Sequence, residues 1–239
     1  GNRLKTILPN GSTMQRAYNS RNQVVSETDQ AGLTKQMEYF QDRLSAVLLP
    51  AVPDPLNNNT STHPRYEYTY NSQGNQSTIK DPLGRVTSFT YDQEGRQLTR
   101  TLPLGQVEQM TYDSLGRQKL HISFEGVVSE MVYDSIGRLG SRRYFASLTA
   151  YNSGAGSPSE TVSYTYDPFG RVVNETSSIR GASTYTYDPD GRVTTMTSPE
   201  GQINYGYDNL GRMTQMTTGP AATPTSDTRY GYDALSRLA

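Results

Sequence analysis

Cysteine and tryptophan are absent from the sequence. The chain therefore has no disulfide, thiolate nucleophile or cysteine-held metal. Histidine occurs twice, at His63 and His121, which excludes a histidine-rich metal site. An excess of one charge is missing too: 22 Lys and Arg stand against 23 Asp and Glu, a net charge of −1. A protein whose main partner is nucleic acid needs a basic stripe, so that class falls away. Long hydrophobic runs are lacking. The most apolar stretch, 44–52, is broken by Pro50 and is far shorter than the ~20 residues that span a bilayer. The opening residues show no signal-peptide pattern.

What remains is polar without the marks of disorder. Hydrophobic residues make up 33% of the 239, and mean hydropathy is −0.71. Disorder at such polarity brings high net charge and few aromatics. Here the charge is balanced and tyrosine alone supplies 18 residues. That combination predicts β-structure with a wide solvated face.

The dominant signal is a repeat. The motif Tyr-Asp-x-x-Gly-Arg is complete at Tyr91, Asp92, Gly95 and Arg96; at Tyr112, Asp113, Gly116 and Arg117; and at Tyr133, Asp134, Gly137 and Arg138. It returns at Tyr166, Asp167, Gly170 and Arg171; at Tyr187, Asp188, Gly191 and Arg192; and at Tyr207, Asp208, Gly211 and Arg212. Degenerate copies start at Tyr18, Tyr39, Tyr70 and Tyr232. The usual step between tyrosines is 21 residues, with insertions at 49–64, 145–160 and 219–226. Each period holds a second glycine, as at Gly32, Gly84, Gly105, Gly126, Gly181 and Gly201. All three insertions replace this second turn, so they are expected to project from one edge of the strip.

The motif has turn chemistry. Asp accepts a hydrogen bond from the backbone N–H two residues on. Gly takes positive φ and forms a bulge that closes a short hairpin loop. Pro at the second corner, as in Pro82, Pro168 and Pro189, suits φ near −65°. The other turn reads similarly in Leu102-Pro103-Leu104-Gly105 and Ser198-Pro199-Glu200-Gly201, and Pro9-Asn10-Gly11 adds an Asn-Gly hairpin signal. Between turns lie strand-length segments rich in Thr, Tyr, Val and Gln. The residue two before each motif tyrosine is large, as at Tyr68, Phe89, Met131, Tyr164 and Tyr185. Period-2 geometry puts it on the tyrosine's face, predicting a ladder of aromatic and Met side chains. The motif arginine is placed to pair with Asp or to stack on a ring.

The expected fold class is all-β: antiparallel β-hairpin repeats of about 21 residues. Ten units give about twenty strands, and open twisted sheets rarely pass ~10 strands without curling. A continuous curling sheet is expected over a propeller, because neighbouring units show no odd–even alternation. Residues 1–239 read as one array with no internal boundary.

Sharper readings of single motifs are weaker than their structural alternatives. Asp188-Pro189-Asp190-Gly191 lacks the third acidic position and distant Glu of a calcium loop and reads as a turn. The motif aspartates already have turn roles, so no metal or cofactor is expected. His121 reads as a packed or surface side chain, and His63 has no evident partner. Gly154-Ala155-Gly156-Ser157 lacks the Lys and following helix of a phosphate cradle. Asn10, Asn58, Asn59, Asn75 and Asn174 open glycosylation sequons, relevant only in a source that glycosylates. No nucleophile-elbow pattern supports a hydrolase. The tyrosines offer sugar-stacking platforms, but stacking on one another along the ladder is the simpler expectation.

On these residues the chain resembles the RHS or YD-repeat family, which includes the shells of bacterial Rhs toxins, of Tc toxin B and C components, and of teneurins. The resemblance covers nearly the whole chain. It implies a strip of hairpins that spirals into a hollow shell, of which this chain is a fragment. It further implies a non-catalytic role in enclosing a toxin or effector polypeptide for delivery. The implied partners are the remainder of the shell, the enclosed domain and a secretion or injection apparatus, with a secreted or cell-surface location. Toxin-releasing members carry a self-cleaving DPxGL-type region. Here Asp81-Pro82-Leu83-Gly84 and its two counterparts continue with Arg, so no protease residue is carried over. The alternative reading is an extracellular adhesion or carbohydrate-binding array.

Overall fold

The computed structural model describes all residues except 1, 3, 10, 55–59, 155, 156, 221 and 239. The chain divides into two units, Gly1–Met110 and Thr111–Ala239. The first holds β1 (Lys5–Ile7), β2 (Thr13–Tyr18), β3 (Val24–Thr28), β4 (Thr34–Phe40), β5 (Arg43–Leu48), β6 (Val52–Asp54), β7 (Thr60–Thr62), β8 (Arg65–Tyr70), β9 (Gln76–Lys80), β10 (Val86–Tyr91) and β11 (Gln97–Thr101). Strand β12 (Val107–Tyr112) runs over the division. The second holds β13 (Gln118–Ile122), β14 (Val128–Tyr133), β15 (Leu139–Phe145), helix α1 (Leu148–Asn152), β16 (Glu160–Tyr166), β17 (Val172–Ser177), β18 (Gly181–Tyr187), β19 (Val193–Ser198), β20 (Gly201–Tyr207), β21 (Met213–Thr218) and β22 (Ser226–Arg229). Among the described residues the fold is all-β but for this one short helix, and the pairings described within each unit are antiparallel.

The repeat motif makes the hairpins. At Asp167 the Gly170 N–H donates to the Asp167 carbonyl at 3.0 Å, and the Asp167 N–H donates to the Arg171 carbonyl at 2.9 Å. That closes a type I turn followed by a bulge. The bulge needs a left-handed residue, and Gly170 supplies it at φ 81°. The strand register shifts between Thr165 and Tyr166 to absorb the extra residue. Where the degenerate copies lack glycine, Asn22 and Ser236 take the left-handed place at φ 61° each.

Two turns differ from the sequence reading. Ser198 and Gly201 pair directly, so only Pro199 and Glu200 form that loop. The next tyrosine step is 20 residues instead of 21, and the tighter turn accounts for the lost residue. At the Tyr39 copy, Phe40 pairs with Arg43, and Gln41 and Asp42 both have positive φ. This is the two-residue primed turn that suits strand twist. The Pro9 turn closes from Gly11 to Leu8, while Asn10 lies outside the described residues. So do Asn58, Asn59, Ala155 and Gly156.

The insertions also carry structure. Residues 52–54 and 60–62 pair as a small separate hairpin. In the 145–160 insertion Ser147 caps α1 by accepting a hydrogen bond from the Ala150 N–H at 3.1 Å. A five-residue helix is not stable alone. This one lies against the sheet, with Ala150 and Tyr151 packed on the buried cluster of Ile122, Val128 and Phe145. The expectation of a purely projecting loop is corrected accordingly.

The two faces of the second unit differ. One carries a row of neutral polar residues, Thr165, Asn174, Thr184 and Thr197, across neighbouring strands. The opposite face carries Tyr185, Met196 and Ile203 in register. Among the described residues the buried apolar side chains are few: Ala46 in the first unit, and Ile122, Val128, Met131, Phe145 and Val162 in the second. Stability therefore leans on ladder hydrogen bonds and on contacts between neighbouring repeats.

Candidate functional site

The repeated motif is the densest concentration of chemistry in the chain. Each aspartate does three things. Asp113 Oδ1 accepts from the Leu115 N–H at 3.0 Å and from the Arg117 N–H at 2.9 Å. Its Oδ2 accepts from Arg117 Nε at 2.7 Å. The same set recurs at Asp134, Asp167 and Asp208.

The arginine so held faces forward. Its guanidinium covers the tyrosine ring of the next repeat, Arg117 over Tyr133 at 4.2 Å and Arg138 over Tyr166 at 4.5 Å. Arg171 over Tyr187, Arg192 over Tyr207 and Arg212 over Tyr232 repeat the contact at 4.5, 5.0 and 4.6 Å. The ion pair and the ring contact are thus made together rather than as alternatives. The expectation that the rings stack on one another is corrected at these motifs, because a guanidinium occupies the ring face. The motif glycine has a second use here. A Cβ on Gly211 would stand 3.1 Å from Arg192 Nη1, so the absent side chain leaves room for the neighbour's arginine.

The tyrosine hydroxyl completes the clamp. Tyr133 donates to the Gln118 carbonyl at 2.8 Å and Tyr166 to the Leu139 carbonyl at 2.8 Å. Tyr187, Tyr207 and Tyr232 donate to the carbonyls of Val172, Val193 and Met213. In each of these the acceptor is the residue just after the preceding motif. Tyr91, Tyr70 and Tyr39 do the same in the first unit, donating to Gln76, Leu44 and Val24. Sequence reasoning missed this bond. Its signal was the identity of the residue: phenylalanine fills the ring's place equally well, yet tyrosine stands in every copy.

The electrostatics follow from these contacts. Asp113, Asp134 and Asp208 are held below the ordinary aspartate range, first by the hydrogen bond from their own arginine side chain. For Asp92, Asp167 and Asp188 partial desolvation is the largest influence and pushes upward. The backbone N–H and side chain of the motif arginine outweigh it, and the net direction is down. At the calcium-like turn, Arg192 pairs with Asp188 at 2.6 Å and with Asp190 at 2.7 Å, so one cation answers both carboxylates. Among the described residues no group of three His, Cys, Asp or Glu stands close enough to hold a metal ion. His63 contacts the Leu49 carbonyl through Nδ1 at 2.9 Å. His121 lies opposite Ser129 on the neighbouring strand, in a depression lined also by Gln118, Met131 and Arg142. No carboxylate lines it, so the orienting acid of a Ser–His–Asp triad is missing from that lining.

Replacing Tyr166 tests the clamp. Tyr166→Phe keeps the ring under Arg138 but strands the Leu139 carbonyl, with an expected loss of about 1 kcal/mol in urea denaturation. Tyr166→Ala removes ring burial and cation–π contact as well, for an expected loss of about 3 kcal/mol. A Phe variant as stable as the parent removes the hydroxyl from the account.

Comparison with known proteins agrees with this geometry. The RHS repeat model matches residues 70–107, 166–203 and 187–224. No curated protein matches the chain in sequence. Among solved structures, the Photorhabdus luminescens Tc holotoxin pore is similar over 100% of this chain at 14% identity, with TM-score 0.59. TcdB2-TccC3 without its hypervariable C-terminal region is similar over 100% at 14% identity, with TM-score 0.60. This chain spans 16% of the length of each. At that identity the likeness is one of fold. The chain thus carries RHS repeats over residues 70–107 and 166–224, and its whole length is similar in fold to the Tc structures.

Proposed function

We propose that the chain is a non-catalytic stretch of an RHS shell wall that encloses a toxin or effector polypeptide for delivery. The observation that carries this reading is the use of the motif side chains. Asp, Arg and Tyr are engaged in fastening one hairpin to the next, which builds a wall and leaves the motif no free nucleophile or base. The fold shared with the Tc structures supports it, as does the small share of those chains that this length covers. In this reading residues 1–239 are one run of repeats. Its partners are the rest of the shell and the enclosed polypeptide, delivered outside the producing cell through a secretion or injection apparatus.

The test is mass spectrometry of the natural material, native and then denaturing. A second polypeptide that is held without covalent linkage and released on denaturation is the expected result. A lone 26.5 kDa chain with nothing enclosed overturns containment. A glycan array then tests the adhesion reading.

A further inference from the structure

The depression beside His121 lies within the second unit and borders the clamp at Gln118, whose carbonyl accepts from Tyr133. It measures about 260 Å³ and is lined by Gln118, His121, Ser129, Met131 and Arg142. Register puts these groups on one face. His121 pairs with Ser129, and Met131, two residues further along β14, pairs with Arg142. On the other side Arg142 neighbours the buried Val162. The arginine stem thus runs between two apolar neighbours.

Arg142 differs from the motif arginines in its partners. The motif arginines each hold an aspartate and Arg143 holds Glu130, but among the described residues no carboxylate pairs with Arg142; its guanidinium has the Tyr144 hydroxyl as a neutral partner, and its Nε, like that of Arg143, is buried without an acceptor. The nearby acids are engaged elsewhere. Glu130 sits one residue from Met131, hence on the opposite face, where it meets Arg143 at 2.5 Å. Glu160, across from Tyr144, is held by Ser177 at 2.7 Å and by Arg180 at 2.9 Å. A buried donor without an acceptor is costly. A guanidinium with a hydroxyl, an amide and an imidazole around an apolar floor has the donors for one planar anion. A phosphate dianion calls for more cationic charge than one arginine brings.

The geometry points to a carboxylate-binding site formed by Arg142, His121, Ser129 and Gln118, with Met131 as its floor. The sequence carried a trace of it. His121 and Arg142 each lie nine residues after their motif tyrosines, where later repeats place Met196 and Met216. The site is specific to these repeats. It does not depend on what the chain encloses.

Nuclear magnetic resonance of the full chain tests it, read at the Arg142 Nε–H and the His121 ring. Acetate and a capped glutamate amide are titrated separately, with chloride as the control anion. Saturable shifts at Arg142 and His121 are expected, while Arg143 Nε–H on the other face stays still. A response to both probes marks a site open to free carboxylates. A response to the capped glutamate alone marks a site for acidic side chains of a polypeptide. Arg142→Gln should abolish the response, and Ser129→Ala should weaken it by about tenfold with the fold intact. No saturable shift with either probe, or an equal shift with chloride, overturns the proposal.

Discussion

Phe145→Ala should destabilise the protein by about 3–5 kcal/mol, one of the two largest effects expected in this chain. Phe145 is 6% exposed and sits with Ile122 and the fully buried Val128 in the main apolar cluster. Its ring meets Tyr151 edge-on, 5.3 Å between centroids at 80°, a favoured geometry for aromatic pairs. Removing it leaves a cavity and takes away the surface on which α1 is held. Since so short a helix does not persist undocked, its hydrogen bonds should open first. Hydrogen exchange at the Tyr151 and Ser153 amides, bonded to the carbonyls of Ser147 and Thr149, should accelerate even where the sheet survives. In a repeat array each unit is stabilised by its neighbours, so β13 to β16 should lose protection more than the clamps further along. Phe40→Ala is the control, because that ring is 70% exposed, and its expected cost is within about 0.5 kcal/mol. Equal losses for the two variants in urea denaturation would show that the cluster is not a core.

Much of this fold was readable because the repeat is local. Asp, Gly and Arg act within one turn of five residues, so the hairpin at Asp167–Arg171 follows from residues adjacent in sequence. The all-β class and the left-handed glycines came from that locality. The contacts that were missed join one hairpin to another. The Tyr166 hydroxyl reaches Leu139, 27 residues back across the 145–160 insertion, and no local pattern names a carbonyl as acceptor. The forward direction of Arg138 onto Tyr166 is likewise fixed only once strands are paired. Helix α1 was hidden for a different reason. Leu148-Thr149-Ala150-Tyr151-Asn152 is too short for a helical period to register, and docking on Phe145 stabilises it. The Arg142 depression was invisible until register placed His121, Ser129, Met131 and Arg142 on one face.

Acid should unfold this protein steeply, and the turn aspartates set the sign. Asp81, Asp92, Asp113, Asp134, Asp167, Asp188, Asp208 and Asp233 are all held below the ordinary range when folded. Unfolded, they titrate near ~3.9. Above that value both states are ionised and the clamp contributes in full. As pH falls below it the unfolded chain takes up protons while the folded chain still resists. Stability then drops with a slope set by the number of protons that differ between the two states. Each site contributes little, since these groups are solvated and screened, but eight act in the same direction. The denaturation midpoint in urea should therefore stay level from pH 7 to about 5 and fall steeply below about 4. Protonation strikes twice at Asp113, Asp134, Asp167, Asp188 and Asp208, because the same carboxylate holds the turn and aims the arginine at the next tyrosine. Glu27, Glu38 and Glu160 are also held low, with the hydrogen bonds from Lys35, Arg65 and Ser177 respectively the strongest influences. They leave an acid limb even when aspartates are removed. The decisive variant is Asp113→Asn, Asp134→Asn and Asp167→Asn together. It should be less stable at pH 7, where three arginines lose their ion pairs, and its acid limb should be shallower because three titrating groups are gone. A parent whose midpoint holds level below pH 4, or a triple variant with an undiminished acid slope, would mean that the carboxylates shape the turns without fastening the repeats.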